Sequence, residues 1–149
     1  MSGAIRLSVA GLALAIAVSG CSLFAPFGGL NARECMTRVM YFESNRSSAE
    51  GMLAVGTVVM NRVEDRNYPK SVCGVVGQAN QFAPGVMWNP MKEGRSKALA
   101  QSVADRVLRG ERHPGARKAK HFHTAGLRFP YNNMYYVLEA GGNEFYEKR

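Results

Sequence analysis

The stretch from Ser47 to Val63, SSAEGMLAVGTVVMNRV, constrains this chain more than any other. From Gly51 to Met60 it is apolar but for Thr57, so the rest of the molecule must cover it. Two structures compete for it. Its valines and threonine are β-branched, which suits a buried strand. The length of the run after Glu50, about 13 residues, and the start of the stretch argue for a helix. Ser47-Ser48-Ala49-Glu50 has the spacing of a capping box, with Ser47 as N-cap and Glu50 three positions on. Met52, Val55, Val59 and Val63 then fall on one helical stripe. The expectation is a central buried helix ending near Val63.

The flanks supply its cover. Residues 33–43 form a helix with Cys35, Met36, Val39, Met40 and Phe42 on its apolar side, broken by Asn45 to Ser48. Asp65 to Pro69 is a loop, and Ser71 to Val76 is a short apolar run around Cys73. Residues 77–95 are Gly- and Pro-rich and irregular. A third helix is expected from about Ser96 to Arg109, with Leu99, Val103 and Val107 repeating at four and Gly110 stopping it. His121 to Thr124 and Met134 to Ala140 read as strands, and Gly141-Gly142-Asn143 turns a hairpin into Glu144-Phe145-Tyr146. Helices first and a small antiparallel sheet last make an α+β domain over residues 33–149. No internal repeat is present.

The first 20 residues do not belong to that domain. One positive charge precedes an apolar core of about 14 residues, which is a signal-peptide pattern and too short for a comfortable membrane span. Val18-Ser19-Gly20-Cys21 resembles the bacterial lipobox, in which the Cys carries the lipid after cleavage. The expectation is a signal peptide over 1–20, a lipidated Cys21, and a tether over 21–32 that reaches at most about 40 Å. An ordinary signal peptide or a short inserted anchor is the alternative. Ser22 rather than Asp after Cys21 points to the periplasmic face of the outer membrane in a diderm host, and otherwise to the cell surface.

The formal net charge is +8, and cleavage would remove only Arg6, leaving +7. Such a chain suits nucleic acid, anionic lipid or an acidic polymer, and export argues against nucleic acid. With Cys21 lipidated, Cys35 and Cys73 remain as an even pair in an oxidising compartment. They either bond, contributing about 3–4 kcal/mol for such a loop, or stay as buried thiols.

Three features carry candidate chemistry. Glu43 follows Tyr41 and Phe42 where a helix opens into a loop. A carboxyl lining a cleft there would be desolvated, its pKa raised, and it could act as a general acid near neutral pH. The bland reading is a surface Glu, placed slightly unfavourably at a helix C-terminus. His121 and His123 fall on one face of a strand, and with His113 they could hold a catalytic zinc. No HExxH or CxxC accompanies them, so half-buried strand histidines are the alternative. Gln81, Phe82, Trp88, Asn89, Tyr131, Tyr135 and Tyr136 could stack on sugars and bond their hydroxyls, or pack a core.

Taken in order, the motifs resemble one family. Glu34-Cys35 leads to Val39-Met40-Tyr41-Phe42-Glu43, and Glu50-Gly51 opens Ala54 to Val63. Tyr68-Pro69, Ser71 to Val76, Gln81-Phe82, Ala119 to His123 and Glu144-Phe145-Tyr146 follow. This set is similar to the SleB-type cell wall hydrolases, the spore-cortex-lytic enzymes and their relatives, from about residue 33 to 147. The resemblance implies a lysozyme-like, mainly helical α+β domain acting on peptidoglycan. It implies cutting between N-acetylmuramic acid and N-acetylglucosamine, as a lytic transglycosylase or a muramidase-type hydrolase. Glu43 falls on the catalytic acid. Tyr41, Gln81, Phe82, His121, His123 and Tyr146 fall in or beside the substrate cleft. No metal or cofactor is implied, and a monomer is expected.

This chain departs from the family pattern at three places. Relatives often read E-A-R-G-E where Glu43-Ser44-Asn45-Arg46-Ser47 stands, so the second Glu is Ser47 here. Asn80 replaces a Cys before the Gln-Phe pair, whose partner is also missing, which hints that Cys35 and Cys73 bond to each other. Asn143 stands where relatives often have a His. With Ser47 removing one possible second carboxylate, a single-acid mechanism is expected. A wall-binding protein without turnover is the alternative, and a zinc amidase a weaker one.

Overall fold

The computed structural model describes residues 29–44, 46 and 48–149. The expected signal peptide, Cys21 and most of the tether lie outside the described residues, as does Ser47. In chain order come α1 (Ala32–Glu43), α2 (Ala49–Glu64), α3 (Val72–Val76) and α4 (Gly94–Leu108). A short 3-10 turn, Pro114–Ala116, leads to β1 (His121–Thr124), β2 (Met134–Ala140) and β3 (Asn143–Lys148).

The valine-rich run is a helix. Every residue from Gly51 to Val59 is buried, because α1, α3 and α4 pack around α2. A strand could not have been covered on all sides by helices without leaving its backbone groups unpaired. Burying each Val or Met side chain of this core contributes about 1.5–3 kcal/mol. The cap differs from the expectation. Ser48, not Ser47, accepts from the Gly51 N–H at 3.0 Å, which makes Gly51 the third helical residue. No capping box forms, and the Glu50 carboxylate is left for another partner.

Helix α1 is capped by Asn31, whose side chain accepts from the Glu34 N–H at 2.9 Å. Arg33 binds Asp105 of α4 through two nitrogens, at 2.6 and 3.0 Å. Cys35 and Cys73 form a disulfide, with Cα atoms 5.3 Å apart, that joins α1 to α3. The apolar run around Cys73 is a short helix, capped by the Ser71 side chain, which accepts from the Gly74 N–H at 3.0 Å. Helix α4 begins at Gly94, slightly earlier than Ser96, and stops before Gly110, whose φ of +107° a side chain would resist.

The three strands are antiparallel in the order β1-β3-β2. Phe122 pairs with Phe145 on the core face, and Phe145 is fully buried. His121, His123, Tyr136 and Tyr146 lie on the other face. The β2–β3 turn uses Gly141 and Gly142, at φ +58° and +81°. It lies so close to α2 that a Cβ on Gly51 would come within 2.5 Å of the Gly141 Cα. Two glycines thus seat the hairpin on the start of the central helix. The result is the lysozyme-like α+β arrangement that was expected, with a small C-terminal sheet beside a helical core.

Candidate active site

Glu43 is the last residue of α1. Ser44 turns extended, at φ −107° and ψ 166°, and its hydroxyl donates to the Met40 carbonyl at 2.8 Å. Glu43 lines a cleft of about 470 Å³ with Phe42, Gln81, Phe82, Phe122, His123 and Asn143 among its walls. The loop after α3 closes over the carboxylate, which accepts from the backbone N–H of Ala83. Burial raises the Glu43 pKa above the ordinary carboxylate value, and the Ala83 N–H and the Arg62 charge pull part of it back. No second carboxylate lines this cleft among the described residues.

Two residues that shape the acid carried no assigned role in the sequence. Asn143, only 6% exposed, donates from Nδ2 to the backbone carbonyl of Glu43 at 2.6 Å. The Gly141-Gly142 turn delivers it there across a hundred residues of chain. Arg62 is buried on α2, donating from Nε to the Lys120 carbonyl at 2.8 Å. Its guanidinium lies 5.1 Å from the Phe82 ring and 5.4 Å from that of Tyr68. An arginine inside an otherwise apolar helical run was the available signal for it. Asn143 gave only its difference from relatives.

The expected site residues divide. Gln81, Phe82 and His123 line the cleft with Glu43. His121 lines an adjoining recess with Asp65, Tyr68 and Gln81, and its ring stacks on Tyr146 at 5.2 Å. Desolvation, helped by Lys148, Arg62 and Lys120, lowers the His121 pKa to about 4, so it is neutral at neutral pH. Tyr146 lines a pocket on the outer sheet face with His123, and burial raises its phenol pKa.

Tyr41 does not face the cleft. It is 2% exposed, its hydroxyl accepts from the Glu93 N–H at 3.1 Å, and Arg46 covers its ring at 4.8 Å. The helical turn carries Phe42 to the cleft instead. Trp88 is not core but 75% exposed. The three histidines do not meet. His113 is held beside α2, where its N–H donates to Thr57 Oγ1 at 2.8 Å. Its Nδ1 accepts from Gly115 at 3.1 Å, leaving Nε2 to face Glu50 at 3.3 Å. Among the described residues no three His, Cys, Asp or Glu are grouped to hold a metal ion.

The arrangement is a desolvated carboxyl, fixed at its backbone and facing amides and rings across an open cleft. Such a group can give a proton to a bound ether oxygen and take one back. Two solved structures are similar to the chain. The catalytic domain of the germination-specific lytic transglycosylase SleB from Bacillus anthracis matches with a TM-score of 0.62 at 21% identity, covering 80% of this chain and 98% of that one. The catalytic domain of the Bacillus cereus SleB protein matches with a TM-score of 0.59 at 19% identity, covering 80% and 100%. At these identities the likeness establishes the fold. No curated protein matches the chain. A family model described as cell wall hydrolase matches residues 46–146, from just after Glu43 to Tyr146 in the last strand, and the chain belongs to the cell wall hydrolase family.

Proposed function

We propose that the chain cuts the glycan of peptidoglycan between N-acetylmuramic acid and N-acetylglucosamine, as a lytic transglycosylase with Glu43 as its general acid and base. The observation that carries this reading is the isolation of Glu43, the one carboxylate lining its cleft among the described residues. A two-carboxylate glycosidase needs a partner about 5–10 Å from the acid. The nearest acids in sequence are engaged elsewhere, Glu34 with Arg38 at 3.1 Å and Glu50 with His113 at 3.3 Å. The solved relative from Bacillus anthracis is described as a lytic transglycosylase, which supports the same chemistry.

In this scheme protonated Glu43 gives its proton to the glycosidic oxygen as the bond to the muramic anomeric carbon breaks. The freed sugar leaves with a new hydroxyl. The Glu43 carboxylate then accepts the proton of the muramic 6-hydroxyl, whose oxygen bonds to the anomeric carbon and closes a 1,6-anhydro ring. Glu43 ends protonated, as it began, and no water is consumed. A raised pKa keeps the acid form available for the first half, and the Ala83 N–H stabilises the carboxylate formed between the halves. Gln81, Phe82, His121, His123 and Tyr146 contact the substrate in this reading, through amide hydrogen bonds and ring faces. No metal or cofactor takes part. We propose too that Cys21 carries lipid and that residues 21–32 hold a monomeric enzyme near its membrane, on the periplasmic face of the outer membrane in a diderm host.

Purified sacculi test the assignment. Glu43→Gln is expected to bind them as wild type does while releasing no soluble muropeptides, and undiminished release would overturn it. A wild-type protein that binds sacculi and releases nothing would favour a binding role without turnover.

A further inference from the structure

Beside the Glu43 cleft lies a second pocket, of about 300 Å³, on the outer face of the sheet. His123 lines both, so the two adjoin at that side chain. Their chemistry differs. The cleft offers amides and rings around one acid. The pocket is walled by Phe129, Tyr131 and Tyr146 and has Asn133 and Lys148 at its polar side. Phe129 and Tyr131 stack in parallel, with centroids 6.2 Å apart and planes 11° apart. The Tyr136 hydroxyl fixes His123 at 2.9 Å. Lys148 is exposed and has no ion-pair partner among the described residues, whereas Arg128 nearby is paired with Glu144 at 3.4 Å.

An unpaired cation on an aromatic pocket asks for a ligand with both apolar surface and negative charge. The glycan backbone has no free charge, because the muramic carboxyl is consumed in the amide to the stem peptide. The charge of the polymer sits on the peptide, as free carboxylates beside short aliphatic side chains. We propose that this pocket holds the stem peptide of the muramic acid bound in the cleft, with a peptide carboxylate at Lys148 and aliphatic side chains on Phe129 and Tyr131. The proposal rests on the peptidoglycan reading above. It makes this chain a reader of the peptide-bearing polymer rather than of bare glycan.

Binding tests it, so the result does not depend on turnover. Glycan strands carrying uncrosslinked stem peptides, and the same strands stripped by an amidase with the freed muramic carboxyls re-capped as methyl amides, are titrated against the Glu43→Gln protein. The peptide-bearing strand is expected to bind roughly fivefold tighter, the size of an exposed ion pair plus a ring contact. The preference should shrink as salt rises, fall away in Lys148→Ala and Tyr131→Ala, and return in Lys148→Arg. Equal binding of both strands overturns the proposal, and so does a preference that survives both alanine variants. Loss of both strands equally in Tyr131→Ala would make the pocket a sugar subsite, which also overturns it. Failure of the catalytic reading shows separately, as wild-type protein that cuts neither strand.

Discussion

Glu43 and Glu50 stand on either side of one loop, at the end of α1 and the start of α2. They are the same residue type in nearly the same stretch of chain. Glu50 is 67% exposed at its side chain and sits near His113 at 3.3 Å. Glu43 is partly buried under the 80–83 loop and the β2–β3 hairpin, and its carboxylate meets a backbone N–H, not a side-chain cation. Position on a helix adds a little to the contrast, since a carboxylate suits a helix N-terminus, where Glu50 lies, better than a C-terminus. What separates them most is cover supplied from far along the chain. A group becomes a usable acid when distant segments exclude water from it without neutralising it.

The contrast breaks most sharply by removing each acid in turn. Glu43→Gln is expected to lower sacculus cleavage by roughly 10³-fold or more, since one group serves as acid and base. Glu50→Gln should stay within about twofold. Muropeptide release rates measure both. The same pair differs in stability. A raised carboxyl pKa means that the fold disfavours the ionised form, so its contribution is full below the ordinary carboxyl range and fades as pH rises through the folded value. Glu43→Gln is therefore expected to melt higher than wild type near pH 7, and the two should converge at about pH 4.

The disulfide comes next in size. It staples the opposite end of α1 from Glu43. Replacing Cys35 and Cys73 together by Ser is expected to cost about 3–4 kcal/mol in denaturant unfolding, with cleavage per folded molecule little changed. Asn143 is the support that Glu50 lacks. Asn143→Ala leaves the Glu43 carbonyl without its partner, at a cost of about 1–3 kcal/mol, and should slow cleavage by roughly 10–100-fold through misplacement of the acid. A variant as fast as wild type would remove Asn143 from the account.

The smallest expected effect concerns His121. Its pKa falls from 6.5 to about 4 in the fold. A depressed base contributes stability above its unfolded pKa, and that contribution is lost as pH drops from 6.5 toward 4. Half-exposure limits it to at most about 2 kcal/mol. Thermal melts should show His121→Gln losing less stability than wild type across that window.

How much of this was legible in the sequence follows from the same contrast. The helical core was readable because its signals are local. The stripe Met52, Val55, Val59 settles α2, and Gly110 ends α4. The hairpin was readable from Gly141-Gly142. The N-cap slipped from Ser47 to Ser48 because adjacent serines offer the same hydroxyl, and only the backbone geometry chooses. Tyr41 and Phe42 exchanged places because a helix end has no strict period to say which ring turns inward. The role of Asn143 could not be read, since its bond to Glu43 joins segments a hundred positions apart. The site lies where local rules are weakest and long-range packing decides.

The single-acid claim has a direct measurement. Sacculi are digested in water enriched in heavy oxygen, and the released muropeptides are weighed by mass spectrometry. If Glu43 acts alone and the muramic 6-hydroxyl is the nucleophile, the products end in 1,6-anhydro-muramic acid and carry no label from water. Reducing-end muramic acid bearing the heavy oxygen would show that water attacked, and would contradict it.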